Sequence, residues 1–506
     1  MPTPLFHSIA SWFLKKRIHQ MEHFIKFPNE VQQQVLQNLL FCAAKTEIGK
    51  RHEFNSIDNY ETFKNRLPLV CYEDIAGDIE RCRNGEQNIF WNTPIKWFAK
   101  SSGTTNAKSK FIPVSNEALE DCHYKAGKDM LSLYFNNNEN SQLLAGKCLR
   151  LAGSKELYNK DNKIYFGDLS AIVTENLPIW AEFSSTPSPK VSLMTEWESK
   201  LNSIIAESIQ DDVTGLLGVP SWMLVLLQRV LSQTKKRDLL EVWPNLEVYF
   251  HGGVNFNPYR SQYDKLLPSE NFKYYEIYNA SEGFFAIQDQ NNSDELLLML
   301  DYGIFYEFIP MDKYGAHSED DIISLEAVAL GVRYAVVITT NGGLWRYDIG
   351  DTVQFTSLAP YRIQVTGRTK HYLNVFGEEL IIDNAERALT VASQKTGAQF
   401  VDYTAGPIFM KDKSTGAHEW IIEFNTPPKN LATFTAILDD QLKILNSDYE
   451  AKRYKDLTLT APKVHLARTK LFYDWLAKKN KLGGQHKVPR LSNKREFLDE
   501  LLAMNH

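Results

Sequence analysis

The chain has 506 residues, of which 43% are hydrophobic and 23% charged, with 56 Lys and Arg against 62 Asp and Glu and a formal net charge of −6. That length exceeds one hydrophobic core and points to two or three domains or subdomains, and the composition excludes disorder over most of the chain. The mildly acidic balance excludes a general attraction to nucleic acid or anionic lipid, so any basic function has to be local.

The N-terminal third carries all five cysteines, Cys42, Cys71, Cys82, Cys122 and Cys148. Their odd number and the lack of a CxxC pair argue against a disulfide framework or a zinc site and for reduced thiols in a cytoplasmic protein. The apolar "SIASWFL" is followed, not preceded, by Lys15, Lys16 and Arg17, and no small-residue cleavage site follows; this is not the layout of a signal peptide. Trp12, Phe13, Ile18 and Met21 fit one face of an amphipathic helix. No apolar run is long enough to span a bilayer, so a soluble protein without a membrane partner is expected. Residues 1 to about 95 read as mainly helical, with "EVQQQVLQNLLFCAAK" showing the helical period.

Next comes "FAKSSGTTNAKSKFIPVS". Hydroxyls from Ser101, Ser102, Thr104 and Thr105 offer donors, Gly103 leaves the backbone open, and Lys108 or Lys110 adds positive charge; such a loop suits phosphate oxygens. It is not a Walker loop, for no Gly-Lys-Ser/Thr follows at the required spacing. The same residues also form ordinary polar turns. Ser115, with Glu117 and Glu120, then opens a helix over "SNEALEDCHYKAGKDMLSLYF".

"KCLRLAG" and "LEVYFHGG" read as short buried strands ending in glycine. "VTGLLGVPSWMLVLLQRVLSQTKK" reads as a strand end, a Gly-Val-Pro turn and a largely buried helix capped by Ser221. Trp222 and Met223 on that helix are a candidate wall for an apolar ligand, although such stripes are also plain core. Gly252 and Gly253 in "HGGVNFNP" would let a flat heterocycle lie on the backbone, or form a simple turn. In "YEIYNASEGFFAIQ", Tyr278 offers a ring to stack on a base. There Glu282, between Ser281 and Gly283, offers a carboxylate for Mg²⁺ beside a triphosphate; an ordinary strand-to-turn junction has the same look.

From residue 322 to 365, "YAVVITT", "DTVQFTS" and "YRIQVTG" predict an antiparallel, barrel-like region. Within "GLWRYDIGDTVQF", Asp351 follows Gly350, where an acid can accept from both ribose hydroxyls or serve a turn. "VTGRTKHYLN" marks the boundary, with Arg368 and Lys370 at a hinge or plain linker. The predicted architecture is α/β: a large N-terminal domain over 1–367 and a small α+β C-terminal domain over 368–506, of usual domain size. In "LGGQHKVPRLS" near the end, Gly483 and Gly484 make a mobile loop that would carry Lys487 towards developing negative charge, unless that lysine is simply solvated.

Each of these signals has an everyday explanation, but their order along the chain is not that of unrelated turns. The series resembles the adenylate-forming superfamily of luciferase-like enzymes, acyl-CoA synthetases and adenylation domains. More narrowly, "SSGTT", "YNASEGFF" and "QHKVPR" resemble the auxin-conjugating (Gretchen Hagen-type) acyl acid–amido synthetases and their bacterial relatives. The likeness spans residues 98 to 491.

The resemblance implies a set of roles. Ser101, Ser102, Gly103, Thr104 and Thr105 match the phosphate loop. Gly252 and Gly253 match the adenine contact, with Tyr278 as neighbour of the base. Ser281, Glu282 and Gly283 match the motif whose acid is linked to Mg²⁺ and the α-phosphate. Asp351 matches the ribose aspartate, Arg368 lies beside the hinge, and Lys487 matches the lysine that enters during adenylation. Two positions depart from the wider superfamily: Asn106 stands where glycine is usual, and Lys370 where aspartate often marks the hinge.

The function implied is a two-step ligase that uses ATP and Mg²⁺ to adenylate a carboxylic acid and then passes the acyl group to an amino acid. An acyl-CoA ligase shares the first step. A phosphoryl-transfer enzyme releasing ADP and a non-catalytic nucleotide-binding protein are the rivals from other classes. The sequence names neither the acid, the amino acid nor the oligomeric state.

Overall fold

The computed structural model describes residues 17–101, 110–153, 155–159, 163–177, 179–253, 256–369, 372–410, 415–479 and 490–505. Ser102, Gly103, Thr104, Thr105, Asn106, Lys108, Lys370 and Lys487 lie outside these.

After a helical N-terminus that includes α1 (Pro28–Ala43), a small sheet forms. It contains β1 (Trp97–Ser101) and β2 (Lys110–Val114), an antiparallel pair in which Ser101 and Lys110 are partners. Helix α2 (Lys125–Asn137) follows a single π-helical stretch, Ala118–Tyr124. Ser115 starts this segment as expected, accepting from the Ala118 amide at 2.9 Å. Then come β3 (Lys147–Arg150), β4 (Lys155–Asn159), β5 (Ile164–Gly167), α3 (Leu169–Glu175) and β6 (Ser185–Thr186). β4 and β5 complete the small sheet, in the order β2-β1-β5-β4.

β7 (Val213–Gly218), α4 (Pro220–Thr234), β8 (Val248–Gly252), α5 (Asn257–Leu266) and β9 (Lys273–Ala280) alternate as strand and helix. α4 begins at Pro220 with Val219 at its cap, so the expected Ser221 cap is corrected: proline takes the first helical position, where its missing N–H costs nothing. The chain then turns to β-structure: β10 (Gly283–Ile287), β11 (Leu296–Leu298), β12 (Ile304–Pro310), β13 (Ile323–Ser324), β14 (Arg333–Thr340), β15 (Tyr347–Leu358) and β16 (Tyr361–Arg368).

All of these except β1, β2, β4 and β5 form one twelve-stranded sheet in the order β13-β12-β14-β15-β16-β11-β10-β9-β8-β7-β3-β6. Strands β6, β3, β7, β8 and β9 run parallel and the rest antiparallel. The expected antiparallel region is therefore present, but it is continuous with the parallel half across β9 and β10. The switch comes at a two-residue turn: Ala280 pairs with Gly283, leaving Ser281 and Glu282 at the tip. Strand β14, rich in β-branched residues, is buried at every position after Arg333.

The C-terminal part starts with β17 (Tyr372–Leu373) and β18 (Leu380–Ile381) and adds α6 (Ile382–Thr396), β19 (Gln399–Ile408), β20 (Ala417–Thr426), α7 (Leu431–Leu445), α8 (Ser447–Arg453) and β21 (Lys463–Ala467). α7 and α8 are separated at Asn446, whose side chain accepts from the Tyr449 amide at 2.7 Å and so caps α8. One core cluster runs from Leu216, Leu227 and Tyr259 into Phe376, Trp420 and Leu438. The C-terminal part thus packs on α4 and α5, where Gln262 donates to the Met410 carbonyl at 3.0 Å.

Candidate functional site

The site grows from the carboxyl ends of the parallel strands, where open α/β sheets hold their ligands. β8 ends in Gly252, level with Ile277 of β9. A Cβ on Gly252 would lie 2.3 Å from the Ile277 carbonyl oxygen, so only glycine lets the strands close there. Gly253 follows with φ of 82°, a left-handed conformation suited to glycine.

Further along the same sheet, Asp351 of β15 stands opposite Arg368 of β16. The Arg368 Nε lies 2.7 Å from Asp351 Oδ1, and the Tyr278 hydroxyl donates to Oδ2 at 2.8 Å. Burial pushes the Asp351 carboxyl above its usual range, opposed by Arg368 and by the tyrosine hydrogen bond. Arg368 also reaches Glu379 at 3.3 Å.

Glu282, at the tip of the β9–β10 turn, is likewise pushed up by burial and pulled back first by Lys110 and then by Arg368. Lys110 is buried, with Nζ 3.4 Å from the Tyr347 hydroxyl. Two carboxylates and two cations, from three strands and one turn, therefore lie within electrostatic reach of one another. Such an arrangement can bind a polyanion through its cations and a cation or sugar hydroxyls through its acids.

A cavity of about 480 Å³ opens beside this group. Ser101, Gly252, Gly253, Ser281 and Glu379 line it, so three sequence segments flagged separately meet on one wall. Gly283 begins β10 and is buried next to the turn. Tyr278 is buried behind the wall, its ring 4.8 Å from Phe285 and its hydroxyl committed to Asp351.

Trp222 and Met223 are a correction. Neither lines the cavity: Met223 is fully buried in the core under the sheet, and Trp222 carries the Lys452 ammonium 4.2 Å from its ring centroid. The apolar wall is built instead by Met130 and Leu131 of α2, Val173 of α3, and Leu177. Helical spacing marks this helix as largely buried but not which side of the sheet it covers; Met223 is in the core and Trp222 is half-buried.

Sequence reasoning also passed over His123 and Arg150, both of which line the cavity. Burial lowers the His123 pKa to about 4, leaving a neutral imidazole on the wall at neutral pH. A cation inside the apolar run "KCLRLAG" was the signal for Arg150.

Comparison with known proteins fits this geometry. Residues 17–272 match the GH3 family N-terminal domain, 297–368 the GH3 family central domain and 383–496 the GH3 family C-terminal domain. Indole-3-acetic acid-amido synthetase GH3.4 of Arabidopsis thaliana is 24% identical, with 94% of this chain and 91% of that protein covered. The 4-substituted benzoates-glutamate ligase GH3.12 of the same plant is 23% identical, with 93% and 94% covered. Among solved structures, GH3.15 acyl acid amido synthetase shares the fold with a TM-score of 0.61 at 18% identity, covering 96% of this chain and 95% of that one. A 2-hydroxyisobutyryl-CoA ligase in its thioester-forming state follows at 0.57 and 14%, covering 94% and 92%. With the three domain models together taking in most of the sequence from residue 17 to 496, the protein belongs to the GH3 family.

Proposed function

We propose that this protein is an ATP-dependent ligase that joins a carboxylic acid to an amino acid through an acyl-adenylate. In the first step a carboxylate oxygen attacks the α-phosphorus of ATP and pyrophosphate leaves. In the second the amine nitrogen attacks the acyl carbon, the bond to the AMP oxygen breaks, and the nitrogen gives up a proton to form the amide. Adenylation is needed because a carboxylate oxygen is a poor leaving group and AMP is a good one.

One observation carries this reading: Ser101, Ser281 and the glycine pair of β8 open onto one cavity beside the Glu282, Asp351, Lys110 and Arg368 group. Lys110 and Arg368 would face phosphate oxygens, the glycines the base, and Asp351 the ribose hydroxyls. The apolar lobe at Met130, Leu131 and Val173 suits the body of the acid.

No cluster of three His, Cys, Asp or Glu is present among the described residues. Mg²⁺ carried in with the triphosphate fits such a site, since it needs one or two carboxylates and takes its other ligands from phosphate and water, and Glu282 would supply one. When bound it would neutralise phosphate charge. Lys487, on its glycine-flanked segment, would stabilise charge gathering between carboxylate and α-phosphate, and rotation of the C-terminal part near residues 367–370 would open the way for the amine. Five free thiols suit a reducing, cytoplasmic setting.

The test is exchange of labelled pyrophosphate into ATP across a panel of acids, followed by mass analysis of products with amino acids. Exchange with at least one acid, AMP release and an amide are expected. ADP release, or a CoA thioester with no amide from any amino acid, would overturn the reading. Lys487→Ala is expected to cut exchange sharply while ATP still binds.

A further inference from the structure

Strand β3 brings a permanent positive charge to the cavity wall. Along Lys147–Arg150 the side chains alternate. Leu149 is fully buried in the core with Leu216 and Met223, while Cys148 and Arg150 on the other face line the cavity. In register, Arg150 is level with Leu217 on β7, which is level with Phe250 on β8. Two strand spacings, roughly 10 Å, therefore separate Arg150 from β8, which ends in the glycine pair.

The Arg150 Nε is buried and has no hydrogen-bond partner. Among the described residues, the guanidinium forms no ion pair; its influence is felt by the Cys148 thiol, whose pKa burial raises and Arg150 holds back. The cations of the nucleotide side differ, for Arg368 pairs with Asp351 and Lys110 acts on Glu282. The backbone just beyond Arg150 is also fixed: the buried Lys200 ammonium donates to the carbonyls of Ala152 at 2.6 Å and Gly153 at 2.9 Å. A guanidinium cannot shed its proton, and the buried, unpartnered Nε leaves this half-buried group with a donor still to satisfy at the cavity wall. Its planar fork is shaped for a carboxylate.

We propose that Arg150 binds a carboxylate that is not activated in the reaction, and that this is the α-carboxylate of the acceptor amino acid. The inference rests on the amide-forming reading above. There the activated carboxyl and the phosphates belong to the Glu282 and Lys110 side, and the acceptor brings the one further anion. A second carboxylate on the acyl substrate has the same chemistry and is the other possible source.

The experiment compares wild type with Arg150→Met, which keeps length without charge, and Arg150→Lys, which keeps charge without the fork. Melting curves first establish that each variant is folded; if Arg150→Met is not, Arg150→Lys and Arg150→Gln carry the comparison. With an acid that supports exchange, KM is measured for an amino acid and for the amine lacking its carboxylate. Arg150→Met is expected to raise KM for the amino acid about 10- to 100-fold, leaving the plain amine and pyrophosphate exchange unchanged, with Arg150→Lys in between. If instead the rise appears in exchange, and only with dicarboxylic acids, a carboxylate is still bound but belongs to the acyl substrate. Folded variants that treat amino acid and amine as wild type does, and dicarboxylic acids as before, overturn the assignment. Wild type that forms no amide at all overturns the ligase reading itself, a different result.

Discussion

Asp351 and Arg368 face each other across the last residues of β16, 2.7 Å apart, and the same guanidinium extends to Glu379 in the C-terminal part at 3.3 Å. A cavity-side acid is thereby tied to the segment that joins the two parts. Asp351→Asn retains an acceptor for the Tyr278 hydroxyl but deletes the charge opposite Arg368. Stability is expected to fall by about 1–3 kcal/mol, as when a buried charged hydrogen bond loses its charge. ATP affinity is expected to fall about tenfold, because a neutral amide oxygen accepts more weakly from ribose hydroxyls. Urea unfolding and ATP calorimetry measure the two; unaltered ATP affinity would remove the ribose role. Tyr278→Phe should cost about 1 kcal/mol of stability with little change in ATP binding, since only one hydrogen bond is lost.

Trp222 and Lys452 meet across the two parts, Trp222 in the first turn of α4 and Lys452 in α8. Burial lowers the Lys452 pKa to about 8 against the pull of Asp448, Glu378, Asp168 and Glu379, so the ammonium keeps its charge at neutral pH. A desolvated cation–π contact is worth about 0.5–2 kcal/mol. Trp222→Ala should loosen the docking of the C-terminal part, seen as faster tryptic cleavage near Arg368. The difference should shrink as pH rises through about 8 and the ammonium discharges. Preference among acids should stay as in wild type, because Trp222 does not touch the cavity. A changed acid preference would contradict that placement.

The parts of the site legible in the sequence were those written in contiguous residues. The Ser281–Glu282 turn and the glycines after "VYFH" each announce a local backbone requirement where a strand ends, and Gly350, with φ of 78°, announces one within β15 just before Asp351. What stayed hidden depends on strands distant in sequence. Arg150 reaches the cavity because β3 lies beside β7 with Leu149 turned to the opposite core. His123 does so from within the π-helical stretch ahead of α2, a local geometry that apolar spacing does not reveal. Met223 illustrates the converse: apolar periodicity identified a buried helix, but a parallel sheet is covered on both faces, and the pattern is the same on either side.

Gly127 lies on the cavity face of α2, four residues after His123 and four before Leu131, both of which also line the cavity. A Cβ added there would meet no protein atom within 4 Å. Glycine inside a helix is worse than alanine by about 1 kcal/mol. Gly127→Ala should therefore raise unfolding free energy by up to about 1 kcal/mol in urea titrations. Gly127→Leu would occupy the open volume, and exchange with the bulkiest acids should drop at least tenfold while the smallest are spared. Equal losses across all sizes, with the fold intact, would show that this lobe does not measure the acid.

His123 and His251 give the protein a built-in sensitivity to acid. Burial lowers the His123 pKa to about 4; burial, aided by Arg260, lowers that of His251 to about 3. His251 is stacked on Phe256 at 4.1 Å between ring centroids, and its Nδ1 has no hydrogen-bond partner. An unfolded histidine titrates near 6.5, so below that pH the unfolded chain binds protons that the folded protein refuses, and stability falls as pH drops from about 6.5 towards 4. At 1.36 kcal/mol per pH unit, each imidazole should cost about 2 kcal/mol at pH 5 relative to neutral pH. The paired variant His123→Gln, His251→Asn should be less stable than wild type at pH 7.5, yet lose less on moving to pH 5. Urea midpoints at the two pH values decide the matter: the same loss in both proteins would place the acid sensitivity elsewhere, in the carboxylates whose pKa is lowered, Asp439 held by Arg453 and Glu419 held by Arg495.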